Sequence, residues 1–77
     1  MKIRKNFLEG LEQKVYIYEN KKEEFILIAV PAIEWSYSFF YQDEEIQSKL
    51  FHSLTERIPH ETAETLSSRI VQWTTEM

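Results

Sequence analysis

Residues 25–41 read Phe-Ile-Leu-Ile-Ala-Val-Pro-Ala-Ile-Glu-Trp-Ser-Tyr-Ser-Phe-Phe-Tyr, with Glu34 as the single charged side chain. Residues 25–30 form an unbroken apolar run of the length of a strand covered on both faces. A helix needs about 10–12 residues, and Pro31 ends the run too early for one. Proline also drives Val30 towards extended backbone. Beyond it, Trp35, Tyr37, Phe39 and Tyr41 recur at period two against Ser36, Ser38 and Gln42. That alternation places the aromatics on one side of a pleated strand. Two strands flanking a short turn are therefore expected, and Phe40 keeps the second strand's other side from being wholly polar.

The rest of the chain has to be arranged around that pair. Residues 14–19 alternate Val15 and Ile17 with Tyr16 and Tyr18, all β-favouring. Asn20-Lys21-Lys22-Glu23 suits a four-residue hairpin loop, with Asn20 opening the turn. Residues 1–13 are open to two readings. Ile3, Phe7, Leu8 and Leu11 fit a helical face, whereas Gly10 favours a short strand and a turn at Glu9-Gly10. From Asp43 the period changes to helical. Asp43 is placed to cap a helix in which Ile46, Leu50, Leu54 and Ile58 step by four, Phe51 widens the stripe, and Pro59 ends the element. A second helix is expected from about Thr62 to Glu76, with Ala63, Leu66, Ile70, Trp73 and Met77 on one side. The expected fold is a single two-layer α+β domain over residues 1–77. An antiparallel meander sheet of three to four strands carries both C-terminal helices, packed as an antiparallel pair on one face.

Such a fold leaves an apolar surface over. Helices cover one side of a sheet, yet the central strand is apolar on both, through Phe25, Leu27, Ala29 and through Ile26, Ile28, Val30. If Trp35, Tyr37 and Phe39 meet the helices, the opposite side shows Phe40 and one row of the central strand. Tyr16 and Tyr18, or alternatively Val15 and Ile17, join them. The candidate interface residues are Tyr16, Tyr18, Phe40, Leu27 and Ala29, because exposed apolar patches mark interaction sites. The pattern itself does not say which side the helices take.

A chain of 77 residues buries only about 60–65% of the surface its unfolded form exposes, so its core is thin. Small domains supplement such a core with disulfides, metal or a partner subunit. With no cysteine, disulfides, thiolate metal sites and cysteine nucleophiles are all excluded, which leaves oligomerisation. The expected partner is a second copy of the chain or another protein. The net charge of −4 is uneven: residues 1–24 carry six basic and five acidic side chains, and residues 25–77 three and eight. The acidic C-terminal half repels phosphate backbones, so nucleic acid is not an expected partner. No apolar stretch approaches the roughly 20 residues of a membrane span, and no secretory leader is visible. The expected location is the cytoplasm.

No catalytic pattern emerges. His52 falls opposite the Leu50/Leu54 stripe, and His60 follows Pro59 in the interhelical turn, where it can help cap the second helix. Glu56, His60, Glu61 and Glu64 lack metal-ligand spacing, and Asp43-Glu44-Glu45 fits a helix start better than acid–base work. The serines sit in no nucleophile elbow, and a single glycine precludes a phosphate-cradling loop. No enzyme activity, cofactor, metal or small-molecule substrate is expected. Two other classes compete with a protein-contact role. One is a single-stranded nucleic-acid accessory protein using the aromatic sheet side, notably Tyr16 and Tyr37. The other is an acidic antagonist of a basic protein surface, through Glu44, Glu45, Glu56, Glu61 and Glu64.

The run Lys-Val-Tyr-Ile-Tyr-Glu-Asn-Lys-Lys-Glu-Glu-Phe at residues 14–25, followed by Ile-Ala-Val-Pro and Glu-Trp-Ser, resembles a small uncharacterised Bacillus family, the YueH-like proteins. The resemblance covers most of the chain. It implies a cytoplasmic bacterial protein of unknown function, and it carries no functional residue with it.

Overall fold

The computed structural model of the protein describes residues 1–8 and 10–76. They fall into two compact units, Met1–Asp43 and Glu44–Met77. The first is a sheet of four antiparallel strands in chain order, β1 (Lys2–Leu8), β2 (Leu11–Asn20), β3 (Phe25–Val30) and β4 (Trp35–Phe40). The second holds two helices, α1 (Ile46–Leu54) and α2 (His60–Thr75), which pack against each other. The chain is thus α+β, a meander followed by helices.

Each turn follows from local chemistry. Gly10, at φ 81°, occupies the left-handed backbone that a glycine adopts without a Cβ penalty, and it turns β1 into β2. The open reading of residues 1–13 resolves to strand, because pairing with β2 from Lys2↔Ile17 to Leu8↔Leu11 gives β1 a ladder that an isolated helical turn lacks. Glu9, half of the expected turn, lies outside the described residues. At the next hairpin, Asn20 closes β2 opposite Phe25, and its Oδ1 accepts the Glu23 N–H at 3.0 Å. The loop is therefore residues 21–24, one position later than the sequence pattern suggests. Pro31–Ile33 forms a single 3-10 turn, and Glu34 leaves it at φ 51° with its N–H donated to the Pro31 carbonyl at 3.0 Å. This sets Trp35 opposite Val30 and fixes the register of β4.

Two helix boundaries differ from expectation. Asp43 does not cap α1. Its carboxylate accepts the Phe40 N–H at 2.9 Å, and its own N–H donates to the Phe40 carbonyl at 3.0 Å, so it terminates β4 instead. The helix begins three residues later, after Glu45 at φ 55°. It ends at Leu54 rather than Ile58. The Leu54 carbonyl then accepts the N–H groups of both Arg57 and Ile58, which tightens the chain into a turn before Pro59. Pro59, extended at ψ 156°, opens α2 at His60, two residues before the expected Thr62, and the His60 side chain makes no cap bond.

The buried apolar groups of the sheet all lie on one side: Val15, Ile17, Ile26, Ile28, Val30, Trp35 and Phe39. Fully burying each large aliphatic or aromatic group contributes about 1.5–3 kcal/mol before entropy is counted. On β1 the same side turns polar, with Arg4 opposite Val15 and the buried Asn6 opposite Gln13. The helices bury Leu50, Leu54, Ala63, Leu66 and Ile70, as the stripes predict. Ser67 joins them because its hydroxyl donates to the Glu64 carbonyl at 3.0 Å, leaving no unsatisfied donor. Trp73 is half-buried, and Met77 lies outside the described residues.

Candidate contact face

The strand registers decide which side chains share a face, because partners across an antiparallel ladder point the same way. Ile3↔Tyr16, Tyr16↔Ala29 and Ala29↔Ser36 form one row across the sheet. Tyr18↔Leu27 and Leu27↔Ser38 form the next, and Asn20↔Phe25 and Phe25↔Phe40 the third. All five sequence-predicted interface residues, Tyr16, Tyr18, Leu27, Ala29 and Phe40, therefore share the side opposite the buried row. Val15 and Ile17, the alternative to the two tyrosines, take the buried side.

On this outer face Phe25 touches two other rings. Tyr18 and Phe25 have centroids 6.0 Å apart at 59°, and Phe25 meets Phe40 edge-on at 6.3 Å. These arrangements are favourable for aromatic pairs. Ile3 is 54% exposed, Phe40 53%, Tyr18 38% and Leu27 37%. Tyr16, Phe25 and Ala29 are half-buried between them. No charged side chain interrupts the three rows. The first charges along the strands are Lys5 opposite Lys14, and Glu12 opposite Phe7, with Lys5 Nζ 3.4 Å from Glu12 Oε1. Phe25 was named in one row with Leu27 and Ala29 but not among the five candidates, and Ile3 was not named as a member of the face. Ile3 was hidden by the ambiguity of residues 1–13.

The aromatic stripe of β4 lies on the other side. Trp35 and Phe39 are buried, and Trp35 stacks on Tyr37 at 6.3 Å and 13°. Tyr16 and Tyr37 thus belong to opposite sides of the sheet, and no single stacking surface contains both. Just past β4, the Tyr41 hydroxyl donates to the Glu19 carboxylate. That bond, with some desolvation and the nearby charges of Glu19 and Glu24, pushes the Tyr41 phenol up to about 12.

In the helical unit, Phe51 sits edge-on to His52 and to His60, each at 5.5 Å. An open groove of about 410 Å³ runs beside it, lined by Gln47, Ser48, Phe51, Glu64 and Ser67. Both histidines are exposed, as are Glu44, Glu45, Glu56, Glu61 and Glu64. Among the described residues no group of three His, Asp or Glu side chains is placed to hold a metal ion, and no helix is long and apolar enough to cross a membrane.

Residues 2–76 match the family described as YueH-like protein. The chain belongs to the YueH-like family. It is 38% identical, over 82 residues spanning the whole of both chains, to Uncharacterized protein YueH of Bacillus subtilis (strain 168). No solved structure matches it. The YueH-like match runs from β1 through α2, so the outer sheet face belongs to the length the family shares.

Proposed function

We propose that this YueH-like protein is a non-enzymatic contact protein whose outer sheet face seats a second copy of the chain. The observation that carries this is the uncharged apolar face formed by Ile3, Tyr16, Tyr18, Phe25, Leu27, Ala29 and Phe40 in three adjoining rows. Such faces on small proteins mark contact sites. A copy of the same face is a suitable occupant, because pairing two uncharged surfaces about a two-fold axis buries no unpaired charge. It also supplies the apolar burial that a chain of 77 residues without cysteine lacks internally.

Phe40→Glu tests this. The substitution puts a charge at the β4 end of the third row, beside Phe25, while leaving the buried row untouched. Sedimentation velocity of the two proteins at matched concentration is expected to show the parent sedimenting as an assembly and the variant as a smaller species. Far-ultraviolet dichroism should be unchanged. A variant that loses its fold, from a parent that never assembles, contradicts the proposal.

A further inference from the structure

β4 ends the sheet order, so one of its sides has no strand beside it. The Tyr41 N–H donates to the Glu24 carbonyl across the β3–β4 ladder at 2.9 Å. Backbone groups of antiparallel strands alternate in direction, so positions 35, 37 and 39 turn theirs towards β3 and positions 36, 38 and 40 turn theirs outward. Phe40 agrees with this parity: both of its outward groups are taken by Asp43, through bonds of 2.9 and 3.0 Å. At the other end, Glu34 leaves the strand geometry altogether at φ 51°. What remains is a short window, Ser36 and Ser38, whose N–H and C=O groups face outward from an extended backbone.

The two edges of the sheet differ in charge. β1 bears Lys2, Arg4 and Lys5, and charged edge strands resist pairing with another chain. β4 reads Trp-Ser-Tyr-Ser-Phe-Phe, with neither charge nor proline. An edge without charge or proline is the type that accepts an added strand.

We propose that β4 pairs with β4 of a second copy, antiparallel about a two-fold axis at Tyr37, joining two four-stranded sheets into one. The register follows from three constraints. Buried and outer sides must match across the junction, which restricts the two-fold axis to pass through a residue rather than between two. Centring on Ser38 requires the outward groups of Phe40, which Asp43 holds. Centring on Ser36 requires Glu34 to be extended, which it is not. Centring on Tyr37 sets Ser36 opposite Ser38 of the second copy, twice over, and uses all the outward groups left in the window. It also sets Trp35 opposite Phe39 on the buried side. This edge is a separate surface from the outer face and does not depend on it. With both contacts made about two-fold axes that intersect at right angles, the two isologous interfaces close an assembly of four copies.

Register-specific cross-linking reads the edge alone, because the chain has no native thiol. Ser36→Cys and Ser38→Cys are made as separate proteins and oxidised singly and mixed. A hydrogen-bonded antiparallel pair holds its Cα atoms about 5.5 Å apart, inside the range a disulfide spans. Two copies of the same serine lie two positions off register, at about 8 Å, outside that range. The expected result is a disulfide-linked dimer forming at least about tenfold faster in the mixture than in either single variant. It should persist when both cysteine variants also carry Tyr18→Glu, which breaks the outer face and not the edge. Ser38→Pro removes the outward N–H while sparing every bond to β3, and should halve the mass of the assembly with dichroism unchanged. A mixture that cross-links no faster than the single variants, in both backgrounds, overturns the proposal. So does a folded Ser38→Pro protein of undiminished mass.

Discussion

Ile28 and Leu27 are neighbours in β3 and nearly equal in hydrophobicity, yet Ile28 is wholly buried and Leu27 remains 37% exposed. The same contrast runs through the sheet: Val15 and Ile17 against Tyr16 and Tyr18, and Phe39 against Phe40. Both sides of the strand are apolar, and their neighbours distinguish them. On the buried side Ile28 lies between Ile17 and Tyr37; on the outer side Leu27 lies between Tyr18 and Ser38. In β2 and β3 the β-branched aliphatics Val15, Ile17, Ile26, Ile28 and Val30 take the buried side, while the outer side carries Tyr16, Tyr18, Phe25 and Leu27 beside the serines of β4. A face of the second kind is compatible with a free chain and with an assembled one, which is what a contact surface requires.

The sharpest way to break that contrast is to truncate each side in turn. Ile28→Ala is expected to cost about 2–5 kcal/mol of stability in urea titrations read by Trp fluorescence, the range for buried aliphatic deletions. Leu27→Ala, measured at concentrations too low for assembly, should cost less than about 1 kcal/mol. Equal losses would mean that the two sides are energetically alike. Next in size is the turn that delivers Ile3 to the outer face. Gly10→Ala should lower stability by about 1 kcal/mol, the cost of left-handed backbone for an L-residue. The added Cβ has nothing within 4 Å, so the cost is conformational rather than steric. Glu34, which sets the register of β4, is held at φ 51° despite its side chain. Glu34→Gly is expected to raise stability by up to about 1 kcal/mol, seen as a higher melting temperature with unchanged dichroism. A drop would show that the Glu34 side chain itself supports the turn.

The smallest expected effect lies at the margin of the buried side, in the bond between Tyr41 and Glu19. The folded protein holds the Tyr41 proton more tightly than the unfolded chain does, with the phenol raised from 10.0 to about 12. Its contribution is therefore complete below pH 10 and is lost as pH rises through about 12. Tyrosinate absorbance should show a late-titrating phase that Tyr41→Phe removes. A late phase that survives Tyr41→Phe, or none in the parent, would contradict the bond.

Much of the sheet was legible in the sequence because its signals are local. Period-two alternation, Pro31, Asn20 and the helical stripes each act over a few residues, and β2, β3, β4 and both helices follow from them. The boundaries that differed depend on competition. Asp43 has the chemistry of a helix cap, but the outward N–H of Phe40 lies closer to hand in the fold, and no pattern along the chain reveals which donor wins. β1 was ambiguous because its evidence is the ladder with β2, a pairing at a distance. The choice between Tyr16/Tyr18 and Val15/Ile17 is of the same kind. It is decided by a register, Ile17↔Ile28 and Tyr18↔Leu27, that strand propensity does not encode. The five interface candidates were legible as one of two alternative sets for a common face, and only the register separates the two.

The most direct measurement is molar mass in solution by light scattering, over a wide range of protein concentration. The expected result is two or four times the 9.3 kDa of the chain, stable on dilution through the micromolar range and reduced by Phe40→Glu. A mass of one chain at every concentration would contradict the claim that the outer face is built to seat a second copy.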